Sequence, residues 1–228
     1  MSPNLPQRKS IRLKNYDYSQ TGLYFITICI QNKKHLLGTI TNNQMILNDA
    51  GKMVSIQWFD LLQRFKYIQL HEYVVMPNHF HGIIYIDKCR GESCIRPHDK
   101  NFNNIMHTMD SSEHNSGEHN SGEHNSGEHN SGYGTLDDTV GRIVQAFKSI
   151  TTHEYIHGVK QNHWQPFNKK LWQRNYWEHI IRNKNEYYRI SEYIKSNPLK
   201  WNDDKLNYGK GNVVMEIQSS YNSKIWMV

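Results

Sequence analysis

The sequence has no long hydrophobic run. None of its apolar stretches approaches the ~20 residues that a membrane-spanning helix requires, so we expect no membrane partner. The first 22 residues contain basic side chains with no apolar stretch behind them, which does not fit a secretory signal. Apolar residues make up only 37% of the 228 residues, and the mean hydropathy is −0.80. We therefore expect part of the chain to be solvated rather than packed.

Cysteine is scarce. The three cysteines, Cys29, Cys89 and Cys94, are odd in number and thinly spread, which excludes a disulfide framework and favours a reducing, cytoplasmic setting. Cys89, Cys94 and His98 have the spacing C-x4-C-x3-H. This pattern lacks a fourth ligand and matches no common zinc knuckle, so it is weak evidence for a metal site.

Acidic residues are few outside the middle of the chain. The formal net charge is +6, and residues 1–88 and 140–228 carry +5 and +7, whereas residues 89–139 carry −6. The chain also contains 6 Trp and 14 Tyr. A basic body rich in aromatic side chains favours a polyanionic partner, for which nucleic acid is the default. Composition alone does not exclude the alternative that the basic residues form an ordinary solvated surface.

The middle of the chain contains a perfect repeat. Glu-His-Asn-Ser-Gly occurs four times in succession over residues 113–132 and includes no aliphatic residue. Such a segment cannot offset the entropy of ordering, so the sequence predicts a disordered repeat insertion. We therefore expect one domain over residues 1–228, with 88–134 as a low-complexity insertion and 202–228 as a C-terminal tail.

Hydrophobic periodicity predicts an α+β fold. The order of elements favours a ferredoxin-like antiparallel sheet covered by helices. The expected elements are a strand over 23–30, a hairpin over 36–40 and 44–47, a helix capped by Asn48 or Asp49, strands over 73–76 and 79–86, a helix over about 135–157 with Thr135 and Asp138 as a capping box, a strand within 171–181, and a helix over about 184–196 that Pro198 stops.

Two histidines stand out in the strand that begins at residue 79. Side chains alternate between the faces of a strand, so His79 and His81 project to the same side while Phe80 enters the core. Two imidazoles fixed side by side on a sheet form half of a divalent-metal site. Gly82 is expected to leave room for close approach of a ligand or backbone. By itself, the pattern also fits two solvent-facing histidines.

The last predicted helix contains a second group. Tyr193 and Asn197 are spaced i and i+4, so they are adjacent on one flank of this helix. A tyrosine oxygen beside an amide that can coordinate a hard metal suits a site with a nucleophile and a metal. The same spacing also fits an amphipathic tyrosine at the edge of the core and an Asn that caps the helix.

Together the two segments resemble the single-tyrosine HUH transposases, most closely the REP-associated tyrosine transposase branch. The name HUH denotes His, hydrophobic residue, His, which His79-Phe80-His81 matches within Met-Pro-Asn-His-Phe-His-Gly. The runs 172–183 and 193–201 also resemble that branch. The resemblance extends from about Tyr24 to Trp201 without the repeat insertion, and the two blocks in this order are much more specific than His-x-His alone.

The resemblance implies a site and a reaction. It makes Tyr193 the nucleophile and His79 and His81 metal ligands, with Asn197 at the position of a third ligand that is Gln in some relatives. It implies Mg²⁺ or Mn²⁺ as cofactor and single-stranded or hairpin DNA as partner. Attack by the tyrosine gives a 5′-phosphotyrosine and a free 3′-OH, so strands can be rejoined without ATP, as in DNA transposition. Relatives include monomers and dimers that share active sites, so a homodimer stays open.

Basic residues near this site are candidates for binding DNA phosphates. The four that we expect in this role, each also compatible with plain surface, are Lys148, Arg174, Arg182 and Lys200. His179 is a candidate for assisting proton transfer from Tyr193.

Three other functions stay open at this point. A replication-initiator nickase would share the chemistry but usually brings extra domains. A non-catalytic nucleic-acid-binding module on a ferredoxin-like sheet would need the basic surface but neither the paired histidines nor Tyr193. A histidine-based metal hydrolase is disfavoured because no carboxylate cluster accompanies the histidines.

Overall fold

A computed structural model describes residues 16–87 and 139–207. The predictions made for the repeat, for the Cys89, Cys94 and His98 group and for a capping box of Thr135 and Asp138 lie outside these ranges. The described elements are, in chain order, β1 (Gly22–Cys29), a 3₁₀ turn (Gln31–Lys33), β2 (Gly38–Thr41), β3 (Gln44–Leu47), α1 (Asp49–Arg64), β4 (Ile68–Val75), β5 (His79–Ile86), α2 (Val140–Gln161), β6 (Trp177–Ile181), α3 (Lys184–Ser196) and a 3₁₀ turn (Trp201–Asp203).

Four strands form the main sheet, in the order β4-β5-β1-β6. All neighbouring strands in it are antiparallel. With α1 between β1 and β4 and α2 between β5 and β6, the chain follows the βαββαβ path of a ferredoxin-like fold. The α+β class predicted from the sequence is therefore confirmed, and β2 and β3 form the predicted hairpin beside the sheet.

The two faces of the sheet pack against different helices. On one face, alternate residues of β1 and β5 such as Ile26 and Phe80 join Trp58 of α1 and Phe147 of α2 in the larger core cluster. On the other face, the residues between them pack against α3, in a smaller cluster of Leu23, Phe25, Ile83, Ile181, Tyr187, Ile190 and Ile194. Because side chains alternate along a strand, His79 and His81 lie on the face that α3 covers.

The helices begin at side-chain caps. Asn48 accepts a hydrogen bond from the Gly51 amide at 2.9 Å, which confirms Asn48 rather than Asp49 as the cap of α1. Asn183 caps α3 in the same way, and the predicted bounds of α3 agree with the structure. Thr139 caps α2, whose last residue, Gln161, lies one turn beyond the end expected at His157.

Two strands differ from their predicted bounds. β4 begins at Ile68, five residues before the expected start, and a register shift between Leu70 and Tyr73 interrupts the alternation that would reveal it. In the range 171–181, only Trp177–Ile181 forms a continuous strand, while Trp172 makes an isolated bridge to Ile30. None of the helices within the described ranges has the length and apolar character needed to cross a membrane.

Candidate active site

His81 is held by a hydrogen bond across the sheet. Thr27 of β1 lies directly opposite His81 of β5 in the antiparallel register. The Thr27 hydroxyl oxygen is 2.8 Å from His81 Nδ1. The Phe25 ring stacks on the imidazole with 5.3 Å between ring centroids. Only 2% of His81 is exposed, so its ring is fixed, with Nε2 on the side away from Thr27.

His79 is oriented by the residue before it. Asn78 is fully buried, and its side-chain nitrogen donates to the carbonyl oxygens of Lys33 at 3.2 Å and Leu206 at 2.7 Å. Two acceptors on that side place the amide oxygen of Asn78 toward His79, 2.8 Å from Nδ1. An amide oxygen can only accept, so Nδ1 of His79 carries the proton. Nε2 of His79 is therefore left with its lone pair.

Tyr193 lies at the edge of the same site. Its hydroxyl oxygen is 3.4 Å from Nε2 of His81. The tyrosine ring meets the rings of His81 and Phe25 edge-on, at centroid distances of 5.4 Å and 6.2 Å. Tyr193 projects from the flank of α3, beside the buried face formed by Tyr187, Ile190 and Ile194. The helix thus brings the phenol to the histidines while part of the side chain remains accessible.

Asn197 and Asp204 complete the group around His79. Asn197 follows α3 directly and keeps helical backbone angles, so it retains the predicted i, i+4 relation to Tyr193. Asp204 comes after the 3₁₀ turn, and its Oδ2 lies 3.8 Å from His79 Nε2. We call the space among His79, His81, Asn197 and Asp204, with Tyr193 at its edge, the histidine pocket.

Three buried atoms of the histidine pocket have no hydrogen-bond partner within residues 16–87 and 139–207. They are Nε2 of His79, Oδ1 of Asn197 and Oδ2 of Asp204. A buried polar atom without a partner costs roughly 1–3 kcal/mol, so these three atoms are the candidates in the pocket for contact with a bound group.

Burial also determines the charge state of the histidines. It lowers the pKa of His79 well below 6.5, and the neighbouring His81 acts in the same direction. Burial lowers the pKa of His81 to about 3. Both imidazoles are therefore neutral at physiological pH, which is the form that binds a metal. Burial raises the pKa of Asp204, and the hydrogen bond from the Leu206 amide, the charge of Lys33 and the Asn197 side chain oppose this shift.

The donor set fits a divalent cation. Neutral imidazole nitrogens with amide and carboxylate oxygens suit a borderline to hard ion such as Mn²⁺ or Mg²⁺. Two ligands of one octahedral ion with bonds of ~2.1 Å lie ~3.0 Å apart when adjacent and ~4.2 Å apart when opposite. The 3.8 Å between His79 Nε2 and Asp204 Oδ2 lies between these two separations, so the side chains would have to move by less than about 1 Å to bind one ion. No three His, Cys, Asp or Glu side chains of the described ranges already have the spacing of a complete metal site, and the pocket relies on the amide of Asn197 as well.

The four candidate phosphate-binding residues are not all close to the histidine pocket. Arg182 follows β6 at the end of the sheet where Leu23 pairs with Ile181, whereas His79 pairs with Cys29 at the other end. Lys200 is exposed and immediately precedes Trp201, whose ring stacks on His79 with 6.0 Å between centroids. The structure therefore places Lys200 near the pocket and Arg182 far from it.

Lys148 and Arg174 line a cleft between α2 and the segment before β6. The cleft has a volume of about 360 Å³ and includes the exposed Lys169 and Lys170. We call it the basic cleft, defined by Lys148, Lys169, Lys170 and Arg174. The ammonium of Lys148 donates to the carbonyl oxygens of Gln173 at 2.5 Å and Arg174 at 3.0 Å. Burial lowers the pKa of Lys148 to about 8.

The basic cleft and the histidine pocket share one end of the sheet. The carbonyl of Cys29, the residue paired with His79, accepts a hydrogen bond from the Gln173 amide at 2.8 Å. Burial raises the pKa of the Cys29 thiol to about 11, and both Asp204 and Lys148 act on it electrostatically. Through its pairing with His79 and its hydrogen bond with Gln173, which lines the basic cleft, Cys29 connects the two sites.

His179 does not reach Tyr193. Its Nε2 lies 2.6 Å from a carboxylate oxygen of Glu186 in the first turn of α3, two turns before Tyr193. The structure thus assigns His179 to a hydrogen bond between β6 and the start of α3. Gly82 also differs from expectation, because Trp58 rather than a ligand or backbone approaches it: a Cβ there would lie 2.8 Å from the indole.

The sequence analysis missed three residues of the site. Asn78 lies inside the quoted Met-Pro-Asn-His motif, so its place directly before His79 could have identified it. Thr27 could be found only from the register of β1 against β5. Asp204 lies in the segment assigned to a tail from residue 202, and in the structure the Leu206 carbonyl of this segment accepts a hydrogen bond from the Asn78 side chain. No pattern in the sequence marks Asp204.

Comparison with known proteins gives a relative in sequence and similar solved structures. No family model matches the chain. Two solved structures are similar in part: that of a REP-associated tyrosine transposase bound to a REP hairpin (18% identity, TM-score 0.47, covering 83% of this chain and 74% of that one) and that of a transposase candidate from Deinococcus radiodurans (13%, 0.38, 81% and 95%). An uncharacterized protein of Haemophilus influenzae is 36% identical over 203 residues, which cover 87% of this chain and 92% of that protein. The chain therefore belongs to the same protein family as this Haemophilus influenzae protein.

Proposed function

We propose that the protein is a metal-dependent DNA strand transferase that cleaves and rejoins single-stranded or hairpin DNA through a 5′-phosphotyrosine on Tyr193, as in DNA transposition. The observation that carries the proposal is the position of the Tyr193 hydroxyl, 3.4 Å from Nε2 of His81 and at the edge of a pocket of unpaired metal-ligand atoms. These atoms are imidazole nitrogen, amide oxygen and carboxylate oxygen, which are the atom types that ligate divalent metals.

The pocket residues have separate parts in the reaction. His79, His81 and Asn197 would hold the cation, and the hydrogen bonds that the imidazoles make with Asn78 and Thr27 keep both rings in place. A divalent metal bound there would withdraw charge from the scissile phosphate. The tyrosine hydroxyl is the nucleophile because it is the partly accessible hydroxyl at the pocket edge.

The covalent step conserves the phosphodiester energy. The Tyr193 oxygen forms a bond to phosphorus while the bond from phosphorus to the 3′ oxygen breaks. The phenol proton leaves to solvent, and the 3′ oxygen takes a proton to become a hydroxyl. A 3′-OH that attacks the phosphotyrosine reverses these changes, so cleavage and joining use the same groups.

Basic residues at the same end of the sheet support a DNA substrate. Lys200 flanks the histidine pocket, and the basic cleft lies beyond Cys29. Such contacts position a phosphate backbone without reading its sequence. A strand that reaches Tyr193 can thus extend along Lys200 or into the basic cleft, whereas Arg182 lies at the other end of the sheet.

The test is formation of a covalent adduct with DNA. The protein is incubated with labelled single-stranded DNA that contains a hairpin, with Mn²⁺ and with a chelator in parallel, and adducts are separated under denaturing conditions. We expect an adduct with Mn²⁺ and none with the chelator. Tyr193→Phe removes only the hydroxyl and should abolish formation of the adduct.

Tyr188→Phe is the matched control, because Tyr188 is on the same helix but 47% exposed. It should form the adduct at wild-type yield. An adduct that persists in Tyr193→Phe would contradict the assignment of the nucleophile, and an adduct that a chelator leaves unchanged would contradict the metal requirement.

A further inference from the structure

Three atoms with lone pairs point into the histidine pocket, and all three are acceptors. Nε2 of His79 has no proton because Asn78 accepts the proton on Nδ1. Oδ1 of Asn197 is an amide oxygen, and Oδ2 of Asp204 belongs to a carboxyl group. A positive species at their meeting point would satisfy all three lone pairs at once.

Asp204 is held with one oxygen directed at this point. Its Oδ1 accepts a hydrogen bond from the Leu206 amide at 2.7 Å, which closes a local turn. The Leu206 carbonyl is in turn bound by the Asn78 side chain at 2.7 Å. Only 9% of the Asp204 side chain is exposed, and Oδ2 is left 3.8 Å from His79 Nε2. One carboxylate oxygen thus stabilises the local turn, and the other faces the histidine pocket.

We infer that Asp204 is a further ligand of the divalent cation in the histidine pocket, in addition to His79, His81 and Asn197. This inference rests on the proposed function for the presence of the metal. It is specific to Asp204, because neighbouring Asp203 is exposed on the 3₁₀ turn.

A carboxylate changes the character of the site. His79, His81 and Asn197 contribute no charge, whereas Asp204 supplies one negative charge in a buried setting where it attracts a cation strongly. It also adds a hard oxygen, which favours Mg²⁺ and Mn²⁺ over softer ions. A cation bound by Asp204 and the histidines would therefore link the segment after α3 to β5.

The inference is tested by Mn²⁺ binding to the full chain without DNA, measured by calorimetry and by electron paramagnetic resonance of free Mn²⁺. Asp204→Asn keeps an oxygen that can accept from the Leu206 amide but removes the charge. We expect it to weaken Mn²⁺ binding at least tenfold. Asp203→Asn removes the same charge one residue away and should bind Mn²⁺ like the wild type.

The outcomes separate the inference from the proposed function. Equal Mn²⁺ affinity in Asp204→Asn and wild type would overturn the role of Asp204 while leaving the metal site intact. If the wild type does not bind Mn²⁺, the metal part of the proposed function fails, and the inference fails with it.

A second measurement needs no Asp204 variant and so does not depend on its folding. Infrared difference spectra of the wild type on addition of Mn²⁺ should show a shift of a carboxylate stretching band. The same shift in Asp203→Asn would exclude Asp203 as its source. Mn²⁺ binding with no carboxylate shift would overturn the inference.

Discussion

The side-chain oxygen of Asn78 lies 2.8 Å from Nδ1 of His79, the next residue in the chain. This contact fixes the tautomer of the imidazole, because the nitrogen of the same amide is occupied by the carbonyl oxygens of Lys33 and Leu206. One buried side chain therefore orients a histidine and also holds the segment that carries Asp204. Residues that hydrogen-bond to a metal-binding histidine influence the affinity of the site for the metal.

Asn78→Ala should lower both stability and metal affinity. It leaves the buried Leu206 carbonyl, the partly buried Lys33 carbonyl and the buried His79 N–H without their partner. Each buried group without a partner costs roughly 1–3 kcal/mol, so we expect a loss of a few kcal/mol in the free energy of unfolding by urea. Asn202→Ala, an exposed position in the 3₁₀ turn, is the control and should change little. Equal midpoints for both variants would contradict the role of Asn78.

Thr27→Val should weaken metal binding with a small effect on the fold. Valine has nearly the shape of threonine but cannot hydrogen-bond to His81 Nδ1. Loss of such an outer hydrogen bond reduces metal affinity roughly 10–100-fold. Mn²⁺ calorimetry measures this change. Thr39→Val, on the exposed side of β2, should bind Mn²⁺ like the wild type, and a Thr27→Val affinity equal to this control would refute the prediction.

Gly82→Ala should destabilise the protein by overpacking. A Cβ at this position would lie 2.8 Å from a carbon of the Trp58 indole and 2.9 Å from a carbon of the Phe80 ring. Overpacking of this kind costs roughly 1–3 kcal/mol, which thermal denaturation will register as a lower Tm. At Gly22 the nearest atom to such a Cβ is 3.8 Å away. Gly22→Ala should therefore retain the wild-type Tm. If Gly82→Ala also retains the wild-type Tm, the side chains of Trp58 and Phe80 can move to accommodate the methyl group, and the prediction is wrong.

DNA affinity at low salt should fall as pH rises through about 8. Burial lowers the pKa of Lys148 to about 8, so its ammonium is charged below that pH and neutral above it. If the basic cleft binds a phosphate backbone, the loss of this charge weakens binding between pH 7 and pH 9. Fluorescence anisotropy with a labelled single strand measures the change.

Lys148→Gln should remove that pH dependence. Lys160→Gln, which removes a charge from an exposed position near the end of the same helix, should keep it. If Lys148→Gln retains the full wild-type decrease above pH 8, Lys148 is not the titrating contact.

The sequence determined the elements that are built from local pattern. The 79–86 strand and the 184–196 helix agree with the structure because alternation and the i, i+4 spacing are local properties of the backbone. For the same reason, His79 with His81 and Tyr193 with Asn197 could be recognised as pairs. β4 was placed only in part, because its register shift breaks the alternation on which the prediction depends.

Only the tertiary structure brought the two pairs together and supplied the residues around them. Tyr193 meets His81 because α3 covers the face of the sheet opposite α1 and α2, a choice that no local pattern contains. Thr27 reaches His81 through strand register across 54 residues of chain, and Asn78 reaches Leu206 across 128. Contacts at such separations depend on how the whole chain packs, so the supporting residues of the pocket were absent from the sequence analysis while its central residues were present.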